Sequence, residues 1–112
     1  MPTLSFHFRG QKVDVAMLDG CFWASPLTVR YGLGENLYGR DEILAFRKSR
    51  PPVDLRRRVL RTAITTFGRD FATASCEYRR LASTRRGRQM QTWMRTPAGW
   101  RVVAAHVSLL PA

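Results

Sequence analysis

Two cysteines, two histidines and eight acidic residues are all that this 112-residue chain offers to redox, metal or carboxylate chemistry. Cys21 and Cys76 are too few for a disulfide scaffold and stand at no metal-ligand spacing, so they read as small core hydrophobes in a reducing compartment. With only His7 and His106 beside them, one chain cannot assemble a zinc cluster, and neither metal nor cofactor is expected. No run of 18 or more apolar residues and no charged-then-apolar leader is present, which leads to the expectation of a cytoplasmic protein with no membrane partner. A nucleophile elbow, a Ser-His-Asp order, paired catalytic carboxylates and a phosphate-binding glycine loop are all missing. "GLGENLYG" (32–39) has glycines, but at the wrong spacing before a helix for a dinucleotide fingerprint. It reads as a turn that lets backbone pass close to a pocket mouth.

What the chain does have is arginine. Seventeen of its nineteen basic residues are arginine, and the formal net charge is +11. Clustered arginine suggests a polyanion partner. The clusters "RRRVLR" (56–61) and "RRLASTRRGR" (79–88) fall at a strand entry and in a hairpin, where charges usually face water. They come without a helix-turn-helix, zinc-finger or aromatic RNA-binding pattern. A GC-rich coding sequence explains the arginine bias equally well, so nucleic-acid binding is the least supported reading.

The chain carries no repeat, linker or low-complexity tract, and residues 1–112 read as one domain. "TLSFHF" (3–8) alternates like a strand and runs into a turn at "RGQK". Val13, Met17, Leu18, Cys21 and Phe22 recur at helical spacing, predicting a short amphipathic helix over 13–23. "LTVRY" (27–31) predicts a strand. "RDEILAFRKSR" (40–50) predicts a helix, with acids in its first turn, bases in its last, and Pro51 and Pro52 beyond it. The second half then changes character. "RVLRTAITTF" (58–67), "FATASCEYRR" (71–80), "RQMQTWMRT" (88–96) and "WRVVAAHVSLL" (100–110) are long β-type runs joined by turn residues. The expected class is therefore α+β, an antiparallel meander curved around helices packed on one face.

Alternation along the strands separates two faces. Val103, Ala105, Val107 and Leu109 share one side of the last strand, and Val102, Ala104, His106 and Ser108 the other. In the strand before it, Met90, Thr92 and Met94 oppose Gln89, Gln91 and Trp93. A short chain covers one sheet face with its own helices and has little left for the other, so a homodimer formed sheet against sheet is expected. Under the helices, Gln91, Trp93, His106 and Ser108 gather around small Ala104, a mixture that describes a ligand pocket. Packing alone offers a plainer account, since a strand histidine is commonly a hydrogen-bonded core residue and Trp23, Trp93 and Trp100 commonly fill cores. Arg30, between Val29 and Tyr31, tips the balance. Pointing inward it needs a carboxylate, for which Glu35 and Glu77 are the plausible candidates. Without a protein partner it is a receptor for an anionic ligand, because the guanidinium fork accepts a carboxylate through two parallel hydrogen bonds.

"FWASPLTVRYGLGENLYGRDEILAFR", "ITTFGRDFATASCEYRR" and "GRQMQTWMRTPAGWRVVAAHVSLL" resemble the AtzH/HpxZ-like family linked to oxalurate and cyanuric acid catabolism. That family is a branch of the SnoaL-like, nuclear transport factor two-like superfamily. The likeness spans roughly residues 13–110. It implies a cystatin-like conical half-barrel, a homodimer, and a pocket between the helices and the concave sheet face. In members that are enzymes it implies decarboxylating amide hydrolysis of a small carboxylated urea. Arg30, the arginine of "TVRYG", would then hold the substrate carboxylate and stabilise developing charge. His106 would be the only side chain on the pocket face that titrates near neutrality, and Gln91 and Ser108 would supply hydrogen bonds, with Trp93, Phe22 and Trp23 completing the substrate-binding set. Relatives carry a pocket tyrosine on a longer first helix. Ungapped projection from Arg30 puts Phe6 at that position, without the hydroxyl, and "SFHFRGQK" does not read as helix. Tyr31 cannot replace it, because neighbours on a strand face opposite sides. Three readings follow: a hydrolase or decarboxylase acting on a ureido carboxylate, a non-catalytic binding or accessory subunit of an amidase, and a nucleic-acid binder.

Overall fold

The computed structural model describes residues 5–8, 11–14, 21–49 and 57–111. Strands β1 (Ser5–Phe8) and β2 (Gln11–Asp14) form an antiparallel pair of their own. After them come β3 (Val29–Tyr31), β4 (Asn36–Tyr38), helix α1 (Arg40–Ser49), β5 (Arg57–Phe67), β6 (Phe71–Arg80), β7 (Arg86–Thr96) and β8 (Gly99–Leu109). These last six strands make one sheet in the order β4-β3-β8-β7-β6-β5. The class is α+β, as the run of β-type segments after a capped helix leads one to expect.

Three local readings need correction. Val13 and Asp14 do not open a helix; they pair with Phe6 and Ser5 in β2. Of the rest of that expected helix, residues 15–20 lie outside the described residues, Cys21 is helical, and Phe22 has already left the helix for a bridge to Val102. Part of "GLGENLYG" is the short strand β4, whose Leu37 lies opposite Arg30. The sheet is not purely antiparallel either, because β3 runs parallel to β8 while β5 through β8 form the antiparallel meander. A parallel pair requires a crossover, so β3 and β8 meet only through chain closure over more than 60 residues of intervening sequence.

Helix α1 begins where its caps predict. Gly39 sits at φ 87°, a conformation that favours glycine, and its carbonyl accepts the Ile43 amide to start the helix. The Glu42 carboxylate in the first turn accepts the Tyr38 N–H at 3.0 Å. Ile43 and Phe46, three residues apart, share one helix face. Ile43 is fully buried and Phe46 packs beside it against the core of Phe22, Leu37, Ala72, Ala74, Trp93, Trp100, Val102 and Ala105. These are the residues of one sheet face, hereafter the inner face.

A bulge determines which β8 residues belong to it. Thr92 pairs with Ala104 but Trp93 pairs with Val102, so Val103 is an extra residue between them. Inner-face positions therefore run Trp100, Val102, Ala105 and Val107 rather than strictly every second residue. β5 forms the far edge, and its residues from Arg58 to Phe67 are exposed. No helix among the described residues is long and apolar enough to cross a membrane.

Candidate functional site

One row of directly opposed residues crosses the inner face: Leu37, Arg30, Ala105, Gln91, Ala74 and Ile64, one from each strand from β4 to β5. Opposed residues share a face, so the row sets Arg30 and Gln91 on either side of small Ala105. Arg30 points inward and is 9% exposed. Tyr31 turns to the other side, as neighbours on a strand must.

Arg30 has a protein partner. Its Nη1 donates to Glu35 Oε1 at 2.9 Å, and its guanidinium carbon stands 5.9 Å from the centroid of the Phe46 ring. The β3–β4 loop is built to bring Glu35 there. The Glu35 carbonyl accepts the Gly32 N–H at 3.0 Å, and the second carboxylate oxygen accepts the Gly34 N–H at 3.1 Å. A side chain at position 32 would collide with the Glu35 carboxyl and the Arg30 guanidinium. Gly32 thus lets the pair fold in, which is a more specific job than opening a pocket mouth. Of the two candidate carboxylates, Glu77 faces the opposite side, where it meets Arg86 at 3.9 Å. The pair keeps the Arg30 charge compensated, while Glu35 engages a single amino group of a guanidinium with five N–H donors.

Gln91 is 4% exposed and Trp93, two residues on along β7, is fully buried. The Trp93 indole N–H donates to Gln91 Oε1 at 3.0 Å. Phe22, 2% exposed, joins the same core through a bridge to Val102. Trp23 is half-buried, and its backbone bonds tie the 21–28 segment to β8 and to the Thr28 hydroxyl.

His106 and Ser108 are not with them. His106 lies opposite Met90, and Ser108 opposite Arg88, on the outer face of the sheet. Placing both under the helices around Ala104 assumed unbroken alternation from Val102. The bulge at Val103 reverses the parity, so that Ala105 and not Ala104 takes the inner position. On the outer face, Tyr31 packs edge-on against His106 at 5.9 Å and against Tyr38 at 6.0 Å, with the two tyrosine hydroxyls 3.1 Å apart. That hydrogen bond raises the Tyr38 phenol above its ordinary 10.0. Met90, 61% exposed, stands between two shallow hollows. One, of about 200 Å³, is lined by Tyr31, Ala104 and His106, and the other, of about 300 Å³, by Arg61, Glu77 and Arg88. The two arginine clusters meet at one end of this face, with Arg58, Arg79 and Arg86 directly opposed.

Phe6 sits in strand β1. The position that resemblance assigns to a helix-borne tyrosine is therefore not helical here.

The model of the AtzH-like family matches residues 10–112. No curated protein matches the chain. Among solved structures, a protein of unknown function from Pectobacterium atrosepticum is 59% identical with a TM-score of 0.81, over 87% of this chain and 76% of that one. A cystatin-like fold protein from Burkholderia xenovorans is 50% identical with a TM-score of 0.78, over 88% and 77%. A nuclear transport factor 2-like protein with a cystatin-like fold from Novosphingobium aromaticivorans is 25% identical, with a TM-score of 0.63, over 84% and 68%.

Proposed function

This chain belongs to the AtzH-like family, and we propose that it binds a small ureido carboxylate on the inner sheet face, with Arg30 holding the carboxylate. The observation that carries this reading is an inward-facing, largely buried arginine of which Glu35 engages one amino group. Glu35 meets the need of an inward arginine for a carboxylate, yet it engages one amino group, and the planar guanidinium fork has further N–H donors with which to take a second carboxylate. Gln91, Trp93 and Phe22 lie on the same face and form the rest of the binding set. His106 and Ser108 have no part in it, because they face the other way.

Within this reading water adds to the ureido carbonyl, the C–N bond to the carboxylate-bearing fragment breaks, and the carbamate released falls to ammonia and carbon dioxide, with Arg30 holding the carboxylate and stabilising the charge that develops. Binding without turnover, as an accessory subunit of an amidase, is a second reading. The placement of Phe6 in a strand favours it, since a phenyl ring at that position provides no proton donor. The outer face serves a homodimer. It presents Met90, Tyr31 and Tyr38 to solvent beside two shallow hollows, an apolar surface for a second copy to cover about a two-fold axis.

The test is thermal unfolding of the wild type and Arg30→Ala with N-carbamoylglycine, followed by a carbon dioxide release assay. Ligand at a hundredfold its dissociation constant stabilises by about 2.7 kcal/mol. Stabilisation lost in Arg30→Ala is expected. Equal stabilisation of both proteins, or none of either, removes the reading. Carbon dioxide release then separates the hydrolase from the binding subunit.

A further inference from the structure

Gln91 has one end fixed and the other unpaired. Its oxygen accepts the Trp93 indole N–H, while its Nε2 is buried with no hydrogen-bond partner. The amide cannot turn over to relieve this, because Nε2 would then confront the indole N–H, donor against donor. Buried amide groups without partners are rare in native proteins, and each asks for an explanation. The residue stands beside Ala105, the small neighbour that separates it from Arg30 in the row across the sheet. Two strand spacings put the Arg30 and Gln91 backbones roughly 10 Å apart.

We propose that Gln91 is a donor-only reader of the ligand's second functional group, held in that state by Trp93 as a positioning residue. The ligand class is then a carboxylate that also carries a carbonyl oxygen, as a ureido, amide or keto group, and not one that presents a cation or N–H groups alone. This deepens the proposed function and rests on Arg30 taking the carboxylate. The geometry makes the specificity one-sided. A carbonyl oxygen satisfies Nε2, whereas a donor in the same place leaves two donors facing each other with no acceptor between them.

N-carbamoylglycine and guanidinoacetate test this directly, being nearly identical in shape and differing in whether the central carbon carries oxygen or a protonated nitrogen. Affinities of both for the full chain are measured by calorimetry in wild type, Gln91→Met, Trp93→Phe and Arg30→Ala. The wild type is expected to prefer N-carbamoylglycine by roughly tenfold or more, as a buried unpaired donor implies. Gln91→Met, similar in size but without polar atoms, should bring the ratio to within about twofold while carboxylate binding persists, and Trp93→Phe, by freeing the amide to turn, should also shrink it. A ratio is unaffected by a uniform loss of stability or folded fraction, and if Trp93→Phe does not fold, Gln91→Met decides alone. A preference retained in Gln91→Met overturns the inference. So does equal wild-type affinity for the two ligands. If that equal binding is lost in Arg30→Ala, the carboxylate reading survives; if neither ligand binds the wild type, both fall.

Discussion

Replacing Glu35 by glutamine keeps the shape of the β3–β4 loop and removes the negative charge beside Arg30. The effect follows from the contact geometry. The N···O distance is 2.9 Å, and the arginine and glutamate side chains are 10% and 23% exposed. Hydrogen bonds to charged groups contribute about 1.5–3 kcal/mol when sheltered, and exposed pairs about 0–1 kcal/mol. A contact sheltered on the arginine side and about three-quarters sheltered on the glutamate side belongs in the lower half of the first range, at about 1.5–2 kcal/mol. For a domain of this size that lowers the melting temperature by roughly 6–8 °C, taking about 4 °C per kcal/mol. Circular dichroism melts of Glu35→Gln, Arg30→Met and the double variant form a cycle. The double variant should be less destabilised than the two single losses added together, because removing both charges leaves no guanidinium uncompensated. Glu35→Gln should also strengthen the response to N-carbamoylglycine, since the ligand carboxylate then meets the whole guanidinium charge. A loss below about 0.5 kcal/mol, the level of a surface pair, together with additivity in the cycle, would refute the placement of Arg30 described here.

Two further outcomes check other parts of the structure. Gly87 lies opposite Tyr78, whose buried ring occupies the space a Cβ would need, so Gly87→Ala should cost about 1–3 kcal/mol in urea unfolding. In a Tyr78→Ala background the same change should be neutral or stabilising by up to about 1 kcal/mol, and a cost in both backgrounds would contradict the packing. Met90→Glu places a carboxylate at the centre of the proposed dimer face. Light scattering should then report 12.8 kDa where the wild type reports twice that mass, and a wild type already at 12.8 kDa ends the dimer reading.

Local chemistry carries much of this molecule. The acids and bases at the two ends of "RDEILAFRKS" suit the helix dipole whatever surrounds it, and the helix is there at Arg40–Ser49. The turn residues between the long β-type runs delimit β6 at the expected residues and β5, β7 and β8 to within two. The inward direction of Arg30 was open in the sequence, but its short choice of partners was not, because few carboxylates exist in the chain. Glu35 proved to be the one.

Period-two reasoning failed where a single residue broke the period. Nothing in "WRVVAAHVSLL" marks Val103 as the bulged position, since valine is at home in a regular strand and in a bulge alike. The bulge is a property of how β7 and β8 pair, and it moves His106 and Ser108 to the outer face and Ala105 to the inner one. Likewise Val13 fits a helical spacing with Met17, Leu18, Cys21 and Phe22, yet it lies in β2, paired with Phe6 of β1. Composition, turn chemistry and helix ends are short-range physics, and the sequence by itself determined an α+β chain with an arginine in the strand-forming run before its capped helix. Which face each residue of the last strand occupies depends on the register of β7 against β8, and that Arg30 joins Ala105 and Gln91 in one row depends on β3 meeting a strand more than 60 residues later, both of which only the tertiary structure decided.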